Sequence, residues 1–294
     1  MMKKMKFFVL PLLMLALMAM QSDKPAYRIF DKNGKETQYK NLLEAAMKAD
    51  VVLFGELHNN PICHWLQLEL TKDLYAARGK SLVLGAEMFE NDNQLLIDEY
   101  LRGDIRQRNF ENEVKLWDNY QTDYKPLLEF AKDSGLRFIA TNIPRRYASV
   151  VHLKGFEGLD SLSDEAKQYL PPLPIPYDPE HPAYKSMIDM LCGIPGDHSN
   201  DNLPKAQAIK DATMGWYILE NLDLEPSELF LHFNGAYHCG NYGSICWYIR
   251  NLNPDIKMIT ISSVEQDNID KLDDENKKTA DFTILIPSSM TKTY

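Results

Sequence analysis

Short apolar runs alternate with longer stretches of helical periodicity along most of this chain. The run Ala49-Asp50-Val51-Val52-Leu53-Phe54 is β-branched and nearly continuous, and reads as a strand of a parallel sheet over about residues 50–56. Ser81-Leu82-Val83-Leu84-Gly85-Ala86 and Arg137-Phe138-Ile139-Ala140 repeat that character. Between them Pro61, at a favoured first-turn position, opens a helix to Ala77 that Gly79 closes. Gln94 to Leu101 and Tyr124 to Lys132 also carry helical spacing, the second ended by Gly135. The resulting βαβαβ alternation predicts a parallel sheet with right-handed crossovers. Regular structure resumes with a helix from Pro204 to Leu222, a strand over Glu228 to Phe233, a helix near Ser244 to Asn251, and strands over Lys257 to Ile261 and Asp281 to Ile286. Near the start, Asn33-Gly34 joins Tyr27 to Asp31 and Glu36 to Tyr39 as an edge hairpin, followed by a short helix near Leu42 to Lys48. The expected class is α/β, a mostly parallel sheet flanked by helices.

Two segments break the alternation. Pro171-Pro172-Leu173-Pro174-Ile175-Pro176 and the prolines at 179 and 182 make a rigid, extended stretch that cannot join a ladder. Helical stretches near Ser163 to Leu170 and Ala183 to Leu191 bracket it, so residues 150–205 are expected to form a helical, Pro-rich insertion roofing the sheet. At the other break, Met1 to Lys6 is basic and Phe7 to Met20 is apolar, the pattern of a signal peptide over residues 1–22. That run is too short for a confident membrane span. The expectation is an exported protein of the periplasm or cell envelope, with residues 23–294 forming a single α/β domain.

The formal charge of −10 argues against nucleic acid or anionic lipid as the main partner. The four cysteines (Cys63, Cys192, Cys239, Cys246) give no C-x-x-C zinc pattern. Cys239 and Cys246 either pair across a short loop or are buried thiols. The first cysteine, Cys63, lies well past the apolar segment, so no lipoprotein cysteine is found.

In open α/β sheets ligands gather beyond the carboxyl ends of the strands. Four strands here end in polar groups: Glu56 and His58, then Glu87, then Asn142 and Arg145, then Asn234 and His238. Residues two apart on an extended chain share a side, so Glu56 and His58 are expected to face one point. Glu56, His58, Glu87 and His238 suit a divalent metal such as zinc, manganese or iron, or general acid–base work in their own right. Arg145 is the candidate clamp for a carboxylate or phosphate. His64 either faces the cleft from the first turn of its helix or packs beside Trp65. His152 and His232 read as structural, and His181 and His198 lie in the insertion. Tyr124, Tyr147, Tyr177, Tyr184, Trp216, Tyr217 and Tyr237 fall around the insertion and the fourth strand; phenolates ligate ferric haem and flat aromatics line cofactor pockets, while Trp216 and Tyr217 read as packing within their helix. The chain has no G-x-S-x-G elbow, P-loop, dinucleotide fingerprint or H-E-x-x-H.

Gly55-Glu56-Leu57-His58 with His64, Glu87-Met88-Phe89 with Gln94, Trp117, Tyr124-Lys125-Pro126-Leu127, Asn142-Ile143-Pro144-Arg145 and Asn234-Gly235-Ala236-Tyr237-His238 occur in an order that resembles the ChaN family. That family comprises haem-binding, iron-regulated proteins within the wider Tiki and erythromycin-esterase-like superfamily. The resemblance covers roughly residues 45–265. It implies an α/β sandwich that holds haem, in some members as a cofacial pair across a homodimer, and a role in haem or iron uptake beside envelope machinery. It also implies a competing activity, because Tiki-like and esterase-like relatives use the Gly-Glu-x-His region for hydrolysis. On that reading Glu56, His58, Glu87, Arg145 and His238 map onto the shared cleft. His58, His64, Arg145, Tyr147, Tyr177, Tyr237 and His238 are the candidate haem contacts. The chain departs from the pattern in lacking the lipoprotein cysteine of some members and in carrying bulky Tyr237 beside His238. The expected function is an exported haem-binding protein; the alternative is a metal-dependent hydrolase.

Overall fold

The computed structural model describes residues 24–192, 202–224 and 227–294. The expected signal segment, 1–22, and His198 lie outside them. Eight strands form one sheet: β1 (Arg28–Asp31), β2 (Glu36–Thr37), β3 (Val51–Glu56), β4 (Leu82–Glu90), β5 (Arg137–Asn142), β6 (Leu229–Gly235), β7 (Met258–Gln266) and β8 (Phe282–Pro287). Their order is β2-β1-β8-β7-β3-β6-β4-β5. Every pair from β8 to β5 is parallel, and only the β1 contacts are antiparallel. The central strands β3 and β6 run in register from Val51–Phe230 to Glu56–Gly235. Their carboxyl ends therefore open side by side at mid-sheet.

The helices are α1 (Tyr39–Ala46), α2 (Pro61–Arg78), α3 (Gln94–Arg102), α4 (Gln107–Glu113), α5 (Lys125–Ser134), α6 (Arg145–Lys154), α7 (Asp164–Lys167), α8 (Pro182–Cys192), α9 (Leu203–Glu220) and α10 (Ile245–Leu252). Strand alternation sorts β3 between two cores. Val52 and Phe54 join the large cluster under α1 to α5, while Val51 and Leu53 face Met214, Ile218 and Ile249 of α9 and α10. Glu56 continues the first of these faces. A third cluster, with Tyr147, Val151, Leu159 and Tyr184, packs the insertion onto Ile209 and Ala212 of α9 and Tyr248 of α10.

Two local features set where the site begins. Asn60 caps α2 by accepting from the Ile62 amide at 3.0 Å, and Pro61 occupies the first turn, so the chain leaves β3 through only four residues. Gly55 is required at the end of β3, where an added Cβ would lie 2.7 Å from Cys239 Sγ and 2.9 Å from the Ala236 Cα. The turn after β6 thus packs directly on the end of β3.

Several boundaries differ from expectation in one direction. β4, β5, β6 and β7 each run two to five residues further at the carboxyl end than their apolar patterns do. Glu87, Asn142 and Asn234 are inside strands, where backbone pairing continues after the apolar side chains stop. Helices α4 and α6 have no counterpart among the expected elements, and the helix expected near 163–170 shortens to Asp164–Lys167. Of the two readings for the cysteines, the thiol one describes the structure: Cys63, Cys239 and Cys246 are free and buried. Burial pushes the Cys239 thiol up to about 12.

Candidate functional site

Glu56 at the end of β3 is 1% exposed, a position a carboxylate tolerates only when its oxygens are satisfied. Its Oε1 accepts the Tyr124 hydroxyl at 2.7 Å and faces His58 Nδ1 at 2.9 Å; its Oε2 accepts from Gln67 Nε2 at 2.5 Å. The His58 proton therefore sits on Nδ1, which turns Nε2 toward the cleft over Gly235. A Cβ at Gly235 would lie 2.9 Å from both Cε1 and Nε2 of His58, so glycine is what lets the ring lie there. Burial pushes the His58 pKa down, but the Glu56 hydrogen bond and the charges of Glu56 and Glu87 outweigh it, and the net shift is upward. The His58 carbonyl accepts from Asn119 Nδ2 at 2.7 Å, and His64 Nε2 stands 3.1 Å from the same oxygen.

A second assembly centres on His238, 5% exposed in the turn after β6. Its Nδ1 meets Asp211 Oδ1 at 2.5 Å and its Nε2 meets Glu87 Oε1 at 3.2 Å. Glu87 Oε2 accepts the Gly235 amide at 2.8 Å, and the Tyr184 hydroxyl donates to Asp211 Oδ2 at 2.9 Å. Burial opposes a charge on His238, yet the two carboxylates carry its pKa up to about 10. Glu87 answers in the opposite sense: burial alone would raise it, but the His238 cation, then His58 and the Gly235 amide, hold it well below the usual carboxylate range. His238 is an imidazolium at neutral pH.

His232 faces Thr141 Oγ1 at 2.7 Å and Asn234 Oδ1 at 3.0 Å, and burial pushes it down to about 4. It is a neutral structural histidine. Asn142 donates to the Glu87 carbonyl at 2.9 Å, bracing β4 rather than reaching a ligand.

A cleft of about 610 Å³ opens over these groups, lined by Glu56, His58, Gln207, Tyr237 and His238, with Met187 from the insertion and Tyr294 from the segment after β8. The other expected contacts lie outside that lining. His64 is buried behind His58, its Nδ1 3.1 Å from Gln67 Oε1 and its ring edge-on to Tyr124, and so supports the site rather than facing it. Arg145, at the start of α6, pairs with Glu90 at 3.4 Å and lies over Trp117, whose ring also meets that of His58. It stands one aromatic ring away from the cleft. Tyr147 packs in the insertion core, and Tyr177 packs against Phe156 and Tyr184. Tyr237 does line the cleft, with its hydroxyl donating to the Ala183 carbonyl at 2.7 Å.

The divalent-metal set Glu56, His58, Glu87 and His238 is not assembled as a metal site among the described residues. A metal-ligating imidazole must offer a free lone pair, and here both nitrogens of His238 face carboxylates. The oxygens of Glu56 already face three donors. Among the described residues no three His, Cys, Asp or Glu side chains are disposed to hold a metal ion. Haem asks for less: one axial donor and a cleft with apolar walls. His58 Nε2, two phenols, Leu57, Ala236 and Met187 provide that set, so the residues fit the group.

Asp211, Gln67, Asn119 and Gln207 belong to the site, and the sequence reading does not single them out. Asp211 had a signal: it is the one acidic residue on the buried side of α9, between Ile209 and Ala212.

Comparison with known proteins agrees with this architecture. The solved structure titled "Cofacial heme binding to ChaN of Campylobacter jejuni" superposes with a TM-score of 0.66 at 17% identity, over 89% of this chain and 97% of that one. A mutant of the erythromycin esterase EreC, solved in its open conformation, gives a TM-score of 0.48 at 9% identity, over 90% of this chain and 83% of that one. The curated protein RETICULATA-RELATED 5, chloroplastic, of Arabidopsis thaliana is 24% identical over 217 residues, which is 70% of this chain but 29% of that protein's length. The family model described as "Haem-binding uptake, Tiki superfamily, ChaN" matches residues 42–249. That span takes in β3 to β6 with Glu56, His58, Glu87, Asp211 and His238, and the chain belongs to this ChaN family of the Tiki superfamily.

Proposed function

We propose that this chain binds haem in the cleft above Gly235 and acts, after export, in haem or iron uptake. The observation that carries the reading is the family match over residues 42–249, which includes each strand end that builds the cleft. The signal-like pattern of residues 1–22 supports export to the periplasm or envelope. When bound, haem would supply a ferric iron that takes a protein donor, and two carboxylates that take cations. Toward that group the chain presents His58 Nε2 and the cleft phenols, while Leu57, Ala236 and Met187 exclude water from the ring faces. Arg145, half exposed beyond Trp117, would take a haem carboxylate by exchanging it for Glu90. A homodimer across the cleft mouth and transfer to envelope machinery are part of the same proposal.

Haemin titration of residues 23–294, followed by visible absorbance, tests it. The expected result is a saturable Soret change at low micromolar haemin or below, weakened about tenfold by Arg145→Ala, the scale of one charge-assisted contact. Weak, non-saturating binding would overturn the haem assignment. Fractionation of cells expressing the full chain tests export, with retention in the cytoplasm as the contrary outcome. Sedimentation with and without haemin tests the dimer.

A second reading, metal-independent general acid–base hydrolysis of an ester or amide, is favoured by one observation. Glu56 orients His58 so that Nε2 faces the cleft as a base, with the His238 cation close by. Turnover of ester substrates that resists chelators and is lost in His58→Ala would establish it; equal activity in that variant would exclude it.

A further inference from the structure

The segment that follows β8 crosses to the loop between β3 and α2 and reaches the cleft. Ser288 N–H donates to the Gln266 carbonyl at 2.9 Å, and Met290 packs on the large core. Lys292 pairs with Glu265, which also accepts from Asn60 Nδ2 at 2.8 Å in the loop that carries His58. Thr293 is fixed twice: its amide donates to the Asn59 carbonyl at 2.9 Å, and its hydroxyl to Asp123 Oδ2 at 2.8 Å. Asp123 in turn accepts from Asn119, which holds the His58 carbonyl. The strap is therefore bonded to the same loop that positions the site's open imidazole. The next residue, Tyr294, lines the cleft along with Tyr237 and is 64% exposed.

The tyrosines around the cleft differ in what their hydroxyls are doing. The hydroxyl of Tyr124 is given to Glu56, that of Tyr184 to Asp211, and that of Tyr237 to the Ala183 carbonyl. To become a phenolate, Tyr237 would leave a bare oxygen against a carbonyl; burial and the Asp211 charge also raise its pKa. Tyr147 is fixed in the insertion core. Among the described residues Tyr294 makes no hydrogen bond through its hydroxyl, stands in the cleft lining, and has its backbone neighbour tied down. A phenol held by its main chain while its oxygen stays uncommitted is the arrangement a ligand-binding tyrosine needs.

We propose that Tyr294, delivered by the strap of residues 288–293, is the phenol this cleft offers to its ligand, and that for haem it is the axial donor. With haem bound, the Tyr294 hydroxyl would release its proton to solvent and its oxygen would hold the iron. The strap thereby couples ligand capture to the His58 loop through Thr293, Asn59 and Asp123. This inference rests on the haem reading above, which names the ligand but not the donor.

The test is haemin titration of residues 23–294 and of Tyr294→Phe, Tyr294→His and Tyr237→Phe, read by visible absorbance and by the iron–phenolate signature in resonance Raman spectra. Wild type should show the phenolate signature. Tyr294→Phe should lose it and bind at least tenfold more weakly. Tyr294→His should regain binding with an imidazole-type spectrum, and Tyr237→Phe, whatever its affinity, should keep the phenolate signature. If wild type binds haemin and Tyr294→Phe keeps both signature and affinity, the Tyr294 assignment is overturned while haem binding stands. If wild type itself shows no saturable binding, the haem reading fails and takes this assignment with it. Because Tyr294 is exposed, the phenylalanine variant should keep the wild-type far-ultraviolet circular dichroism.

Discussion

Replacing His238 with glutamine should change the way stability responds to acid. In the wild type His238 is a buried cation between Glu87 and Asp211, its pKa carried from 6.5 to about 10. The native protein therefore binds one more proton than the unfolded chain between those values. That contribution to stability is complete below pH 6.5 and is lost as pH rises toward about 10. His238 and its two partners are almost wholly buried, so solvent screening is weak and loss of the cation falls on the scale of the ~3–5 kcal/mol found when one partner of a buried ion pair is removed. The same ion pair is lost at the acid end through Glu87, whose depressed pKa stabilises the fold above its ordinary 4.5, a stabilisation that drains away below it.

In His238→Gln Glu87 remains buried without its cation, and burial then raises it. It keeps its proton above 4.5 in the native state, so the variant gains stability as pH falls through the interval from 6.5 to 4.5, where this cluster leaves the wild type flat. Urea unfolding at half-unit steps from pH 4.5 to 8 measures both curves. The expected result is a loss of about 4 kcal/mol at pH 6.5 that shrinks by about 2 kcal/mol at pH 4.5. A variant that loses under ~1 kcal/mol at pH 6.5, with a curve parallel to the wild type, would refute the cation between two carboxylates.

Three further outcomes follow from the same geometry. Tyr124→Phe removes the hydroxyl that Glu56 Oε1 accepts at 2.7 Å, and should cost about 1–3 kcal/mol in urea unfolding because the carboxylate stays buried. Gly235→Ala places a methyl 2.9 Å from the His58 ring, so it should weaken haemin binding at least tenfold while far-ultraviolet circular dichroism is unchanged. Zinc should leave the melting temperature of the wild type within about 2 °C, since both His238 nitrogens are held by carboxylates; a larger rise that His58→Ala abolishes would restore the metal reading.

The sheet was legible because β3 and β4 are buried on both faces and so read as unbroken apolar runs. What the pattern could not reveal was how far each strand continues. The first polar side chain ends an apolar run, but main-chain pairing goes on through Glu56, Asn142 and Gly235. The site consequently lies within the last residues of the strands, and its carboxylates are more buried than loop residues would be. The supporting groups were hidden for a different reason. Gln67 and Asp211 lie on helices, nine residues after His58 and twenty-seven before His238, and only packing of α2 and α9 against the sheet brings them near. Arg145 departs from its expected place as a clamp inside the cleft because helix α6 begins at that residue and turns its side chain toward Glu90 and Trp117.

The division between closed and open groups bears on what the cleft is for. Asp211, His238 and Glu87 are joined by short contacts to one another, to Tyr184 and to the Gly235 amide, so a ligand reaching them would have to break a buried charge network first. Such a network is costly to disturb and well suited to holding the β6 turn in one geometry. His58 differs: its Nδ1 is committed to Glu56, but its side chain is 37% exposed. Tyr294 is open in the same sense, with its backbone neighbour bonded and its hydroxyl uncommitted. A ligand that approaches from solvent therefore meets one imidazole nitrogen and one phenol on a rigid floor that already holds its own counter-charges. That arrangement favours capture of a flat, iron-bearing ligand at the mouth over insertion of a bare cation into the floor, because only the mouth offers lone pairs that no buried donor has taken.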